Sequence, residues 1–320
     1  MDGMARRIAM YFAWDREAET AAPLGVLDNR FPALHEVRRQ FWPAFEALAE
    51  APGGQGIEGF LQGFFLRNFA RFGDQVATLT GRPLRQVQRR SAVGETLLDA
   101  ALLDAVDTLI VISFDSQRTG QAASVAEVDA VRAFLARPDT MLFVCPHHDI
   151  GDTDGLDADA ARARLEAEFH HHGDAALPGQ QRVGGFGRSL MAGLGAPIRN
   201  RFGLRPARTE QGEPVAFDRV AEDRYGILAG VPHFNLHPHL PHYERVGAGT
   251  EALEVLARVP VQSDAPAHPE APAGGKFDAM LQARPEAALG RLLVCDVTLW
   301  TSAFGGLQGL QALWRNVIAA

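Results

Sequence analysis

The chain has only two cysteines in 320 residues, and no run of clustered basic side chains. It also contains no apolar stretch approaching the roughly 18 residues of a membrane-spanning helix. Cys145 and Cys295 each sit inside an apolar run, which is a poor pattern for a disulfide framework. Basic residues are mostly arginine, scattered, and outnumbered by Asp and Glu to a formal charge of −8. That balance argues against a nucleic-acid surface or an anionic membrane as partner. Near the N-terminus, Arg6 and Arg7 precede an apolar run that Asp15 breaks too soon for a secretory core segment. A soluble protein in a reducing, cytoplasmic setting is the expectation. Also missing are His-Glu-x-x-His, a CxxC pair, a Walker lysine and a dinucleotide fingerprint, so neither a standard zinc signature nor a nucleotide cofactor motif is present. No internal repeat divides the chain. Its 47% hydrophobic content is that of a folded globular protein rather than a disordered one.

What the sequence does have is histidine in concentration. His233, His237, His239 and His242 are four of eleven histidines, and Pro232, Pro238 and Pro241 are interleaved with them. Three fixed φ angles rule out a helix interior, so these imidazoles are expected on a stiff, partly extended loop. A second concentration, Cys145-Pro-His-His-Asp149, follows an apolar run. Neutral imidazole is both the commonest metal ligand and the usual proton carrier near neutral pH. Two such clusters point to an active site. His170, His171 and His172 end the amphipathic run 157–169, where imidazoles suit a helix C-terminus and adjacent residues diverge too far to chelate together. The acid-rich stretch 149–159 lacks the closing glutamate of a calcium loop.

The pattern of elements is that of an α/β protein. Residues 8–13, 107–114, 140–145 and 292–296 are short apolar runs of the kind buried on both faces of a sheet. Ser124 and Glu127 form a capping-box pattern opening a helix to about Arg137, which makes 107–145 a βαβ unit with parallel strands. Residues 225–229 are a further strand candidate, and 233–236 alternate like a short one. Helices are expected over 31–50, over the phenylalanine-rich 57–72, and from about Gly306 to Ile318. The Phe60, Phe64, Phe65, Phe69 and Phe72 rings are expected in the core or at an oligomer contact, with the wall of an apolar pocket as the other option. Gly184 to Gly187 precede an apolar helix and offer a weak anion site. The Pro/Ala/Gly-rich segment 259–275 is expected as an exposed loop within one domain spanning 1–320. The expected fold is a doubly wound, largely parallel sheet with helices on both faces.

Three features are similar to the class I glutamine amidotransferase-like superfamily, in particular its ThuA-like, non-glutaminase branch. They are the 109–114 strand with its capped helix, the strand ending at Cys145-Pro-His-His, and the pattern 292–300 before Asn316. Together they cover roughly Leu103 to the C-terminus. The resemblance implies a flavodoxin-like fold and, in glutaminase members, a strand-end cysteine with a later His-Pro-Glu motif. Here Cys145 and His237-Pro238 resemble those parts, but Cys145 is flanked by Val144 and Pro146 rather than glycines, and His239 stands where the glutamate would be.

In open parallel sheets, ligands bind outside the carboxyl ends of the strands. Three polar segments follow such ends here, 115–121, 145–149 and 296–302, and the histidine loop is a candidate fourth, so these segments are expected to converge on one site. The expected centre is therefore a metal-assisted hydrolase acting on a small polar molecule. Ligands to a divalent ion such as zinc or iron would come from His147 or His148 and from two of His237, His239 and His242, with Asp149 or Glu244 handling protons. Asp115, Arg118 and Thr119 would recognise the substrate, Arg118 suiting a carboxylate or phosphate. Two alternatives stay open: a metal-free cysteine enzyme using Cys145 and His237, and a noncatalytic sugar- or partner-binding module. The oligomeric state is not readable, a homodimer being one option.

Overall fold

The computed structural model describes residues 6–20, 66–149, 151–172, 182–263 and 275–320. The expected helix over 31–50, residues 57–65 of the phenylalanine-rich segment, and 264–274 of the Pro/Ala/Gly segment lie outside the described residues.

Eleven strands are present among the described residues: β1 (Ile8–Asp15), β2 (Arg85–Ser91), β3 (Gly94–Glu95), β4 (Thr108–Ser113), β5 (Met141–Pro146), β6 (Ile198–Leu204), β7 (Asp218–Arg219), β8 (Leu240–Arg245), β9 (Leu253–Pro260), β10 (Lys276–Ala283) and β11 (Arg291–Val294). Nine form one mixed sheet in the order β3-β2-β1-β4-β5-β11-β10-β9-β7, while β6 and β8 form a separate antiparallel pair. The five strands from β2 to β11 are mutually parallel. The apolar runs that predicted strands β1, β4, β5 and β11 are all in this parallel block, and each residue of β4 and β5 is buried. Buried on both faces, such strands gain from continuous apolar sequence rather than alternation.

Alternate residues feed two cores. Met10, Phe12, Ile110, Ile112 and Phe143 face the side covered by the Ala70–Thr80 and Leu307–Ala319 helices. Tyr11, Leu109, Val111, Leu142 and Val144 face the side covered by the Val125–Leu135 and Gly185–Gly193 helices. The capping box at Ser124 and Glu127 forms as the sequence implies. Phe69 and Phe72 are fully buried, and Phe72 packs edge-on against Trp300 and Trp314. Their helix, however, begins at Ala70 after a short 3-10 turn and runs on to Thr80, beyond the expected end at residue 72.

Two strand expectations fail. Residues 225–229 form turns, because the Asp223 carboxylate accepts from the N–H groups of Ile227 and Leu228 and folds the run back on itself. Residues 233–236 are irregular, and the strand instead begins at Leu240. No helix among the described residues is long and apolar enough to cross a membrane.

Candidate functional site

Parallel pairing of β4, β5 and β11 brings three strand ends to one edge of the sheet. The chain leaves β5 as His147, His148 and Asp149, which are only 4–6% exposed. This turn is fastened from several sides. The Tyr243 hydroxyl donates to the Pro146 carbonyl at 2.8 Å, the Asp149 N–H donates to the Asn200 carbonyl at 2.8 Å, and the Asn200 amide donates to the carbonyls of His147 and Val183.

Beyond β11, Asp296 is fully enclosed and its Oδ2 lies 2.8 Å from Nδ1 of His147. Its Oδ1 accepts from the backbone N–H of Thr298 at 2.9 Å and from that residue's hydroxyl. Burial works to raise the Asp296 carboxyl, but His147, His237 and Thr298 together hold it below the usual carboxylate value. A charged carboxylate therefore accepts the Nδ1–H of His147, and in the neutral form of the ring Nε2 is then the acceptor.

Thr298 carries the arrangement onward. Its carbonyl and hydroxyl accept from the Asn235 amide at 2.8 and 3.0 Å, and Asn235 Oδ1 accepts from the N–H of His237 at 3.1 Å. The N–H of His239 then donates to Nδ1 of His237 at 3.2 Å. In a neutral ring this places the His237 proton on Nε2, the opposite tautomer from His147. One chain of hydrogen bonds thus runs from Asp296 to His239 and joins the two histidine segments. Their rings meet: centroids are 4.2 Å apart for His147 and His148, 5.1 Å for His147 and His237, and 5.4 Å for His148 and His239. Phe114 lies 5.1 Å from His147, and Phe304 lies 4.4 Å edge-on to His237.

Close backbone approach holds the later segment in place. The N–H of Leu236 donates to the Phe304 carbonyl, and Gly309 of the C-terminal helix abuts the carbonyl of His233, where a Cβ would collide. Gly309→Ala is expected to cost about 1–3 kcal/mol, as overpacking does. Denaturant unfolding checks this, and the His237 ring resonances should shift with it.

The remaining sequence-based candidates are placed differently. His242 lies on β8, where strand alternation turns its Nδ1 to the backbone N–H of Asp278 on β10, away from the other four rings. Burial lowers its pKa against the opposing pull of Asp278 and Glu244. Glu244 pairs with Arg201 at 2.9 Å. Asp149 pairs with Arg182 at 2.9 Å and with Arg188 at 3.4 Å; burial pushes its carboxyl up to about 6 against those two arginines. Asp115 is 1% exposed and accepts from the Ser113 hydroxyl and from the N–H of Phe186, so it caps the 185–193 helix and fills the expected anion position there. Thr119 donates to the Ser116 carbonyl within a 3-10 turn; the side chain of Arg118 lies outside the described residues. Cys145 is fully buried, its Sγ 3.6 Å from that of Cys295 and accepting from the Trp300 indole N–H. Burial raises the Cys295 thiol well above its ordinary value.

The sequence placed Asp296 and Thr298 in a strand-end polar segment without giving either a role, and did not single out Asn235 or Asn200. The available signal for Asp296 was its place immediately beyond an apolar strand run, the same signal that marked His147. Among the described residues, no group of three or more His, Cys, Asp or Glu has its donor atoms set to hold a metal ion. No protein-family model matches the chain, and no curated protein sequence matches it significantly.

Proposed function

We propose that the chain is an enzyme that hydrolyses a small polar molecule, with His147 as general base and His237 as the facing hydrogen-bond donor. The observation that carries this is the buried Asp296–His147 pair, with a second imidazole of opposite tautomer 5.1 Å away. In this reaction the Nε2 lone pair of His147 takes a proton from water as its oxygen bonds to the substrate carbonyl carbon. The carbonyl electrons move onto oxygen, where the Nε2–H of His237 stabilises the developing charge. Collapse expels the leaving group, which takes the proton back from His147. Asp296 holds the required tautomer throughout and offsets the charge on the protonated ring. The parallel order β2-β1-β4-β5-β11 supports a flavodoxin-like, doubly wound reading of the fold, in which ligands bind at the carboxyl edge. It also accords with the resemblance to the amidotransferase-like superfamily.

A second reading rests on ring spacing. His148, His237 and His239 are 5.4–6.2 Å apart by centroid, and imidazoles sharing one ion at about 2.1 Å stand roughly 5 Å apart. A zinc or iron ion there would supply a water acidified to near neutral pH. Ligation through Nδ1 of His237 would displace the N–H of His239, which is why this reading ranks second.

The test is turnover on a panel of esters, amides and lactones by wild type, His147→Gln and Cys145→Ser. His147→Gln is expected to lose about a hundredfold or more. Cys145→Ser is expected to keep most turnover while losing some stability, since it buries a hydroxyl. Undiminished turnover in His147→Gln would sink the proposal, and loss confined to Cys145→Ser would restore the thiol mechanism.

A further inference from the structure

The opposite edge of the sheet carries a second concentration of charge, of the other sign to the protein as a whole. A cleft of about 380 Å³ is lined by Arg224, Arg245, Arg258 and Arg284, against Glu222 and Glu254. Its place follows from pairing: Ala283 at the end of β10 opposes Leu253 at the start of β9, and β10 runs antiparallel to β11. Arg284 and Leu253 therefore stand at the amino-terminal edge of the parallel strands, the far side from His147 and Asp296.

Of the carboxylates near this cleft, Glu222 is exposed and makes no ion pair among the described residues, while the others are already committed. Glu254 pairs with Arg224 and accepts from the Gln282 amide at 2.8 Å, while Arg284 reaches its other oxygen only at 3.8 Å. Arg258 is bonded to Asp278 at 2.6 Å. Among the described residues Arg245 has no carboxylate partner, and Nε of Arg224 is buried without an acceptor. Arg245 Nη1 and Arg284 Nε both donate to one carbonyl, that of Leu253, each at 3.2 Å. Two guanidiniums are thus gathered on a single neutral oxygen, with no carboxylate paired to Arg245 among the described residues and only the 3.8 Å contact with Glu254 for Arg284. Like charges so held are relieved by an anion that bridges them, and the planar fork of arginine matches the edge of a tetrahedral oxyanion. The volume suits a small molecule rather than a lone ion.

We propose that this cleft binds a phosphoryl group, free or on a small metabolite, between Arg245 and Arg284. The inference is independent of the histidine centre. The experiment is calorimetric titration of the full chain at low ionic strength with inorganic phosphate and, separately, with glycerol phosphate. It is run on wild type, Arg245→Gln/Arg284→Gln, Arg245→Lys and His237→Ala. Saturable binding is expected, weakened by about tenfold or more in the double variant, the scale of a lost charge-assisted hydrogen bond. Arg245→Lys keeps the charge but not the fork and should weaken binding by a smaller factor; it also carries the test if the double variant does not fold. His237→Ala should bind as wild type does. Tighter binding of glycerol phosphate assigns the cleft to a phosphorylated metabolite, and equal binding assigns it to free phosphate. Absence of saturable binding by either probe would overturn the proposal. So would wild-type affinity in both arginine variants, or loss of binding in His237→Ala.

Discussion

Asp296→Asn is expected to lower turnover by about a hundredfold to ten-thousandfold, the range lost when a general base is disabled. The substitution keeps the shape of the side chain and its contacts with Thr298. What changes is the group facing His147. A carboxylate only accepts, so it fixes the proton on Nδ1 of the ring 2.8 Å away and leaves Nε2 basic. An amide can turn its NH2 to that nitrogen and stabilise the other tautomer, with the proton on Nε2 and no base at the reacting position. Loss of the carboxylate also removes the countercharge for the imidazolium that forms during proton transfer. The measurement is the rate constant under saturating substrate, beside a thermal unfolding curve. An Asp296→Asn variant that turns over as fast as wild type would show that His147 is not the base.

The largest expected loss of stability lies elsewhere, at Glu127→Gln. Glu127 opens the Val125–Leu135 helix, 1% exposed, and meets Arg89 of β2, 4% exposed, in a two-pronged pair. Arg89 also donates to the Tyr11 hydroxyl at 3.0 Å and to the Gln121 amide oxygen at 3.2 Å. Glu127 accepts from the N–H groups of Leu98 and Ser124. Removing the carboxylate charge leaves the buried guanidinium with only the exposed Glu95, 3.6 Å away, as counterion, which costs about 3 kcal/mol. Burial alone would raise the Glu127 carboxyl, but the bonds from Arg89, Ser124 and Leu98 hold it below its ordinary value of 4.5. A depressed carboxylate contributes stability that is fully present above the unfolded value and lost as pH falls through the folded one. The difference between wild type and Glu127→Gln should therefore be full at neutral pH and shrink below about pH 4.5. Urea unfolding at several pH values checks both the size and the direction.

How much of this was legible in the sequence depends on what each side chain faces. The parallel core was readable because β1, β4, β5 and β11 are buried on both sides and so are written as unbroken apolar runs. β2, β9 and β10 were not, because their sequences mix charge with apolar residues. Arg258, Asp278 and Gln282 look like surface positions until the neighbouring strand supplies their partners, and Arg89 does until the Val125–Leu135 helix brings Glu127 to it. The meeting of Cys145-Pro-His-His-Asp149 with the later histidines was expected from strand-end placement, and their rings do meet. His242 was grouped with His237 and His239 on spacing alone. The onset of β8 at Leu240 turns it to the other side, and nothing local in the sequence marks that onset. Asp296 was marked only as the head of a strand-end polar segment, with no partner assigned to it. Its role depends on the parallel register that sets Val294 beside Val144, which brings the residues just beyond both strands together.

The most direct test of the histidine centre is a nitrogen-15 correlation spectrum of the imidazoles in the intact protein, recorded before and after one equivalent of zinc. The Asp296–His147–His237 account predicts His147 protonated on Nδ1 and His237 on Nε2 at neutral pH, with both spectra alike. Stoichiometric zinc-induced shifts of His148, His237 and His239 together, with loss of the His239 N–H bond to His237, would contradict it in favour of a metal centre.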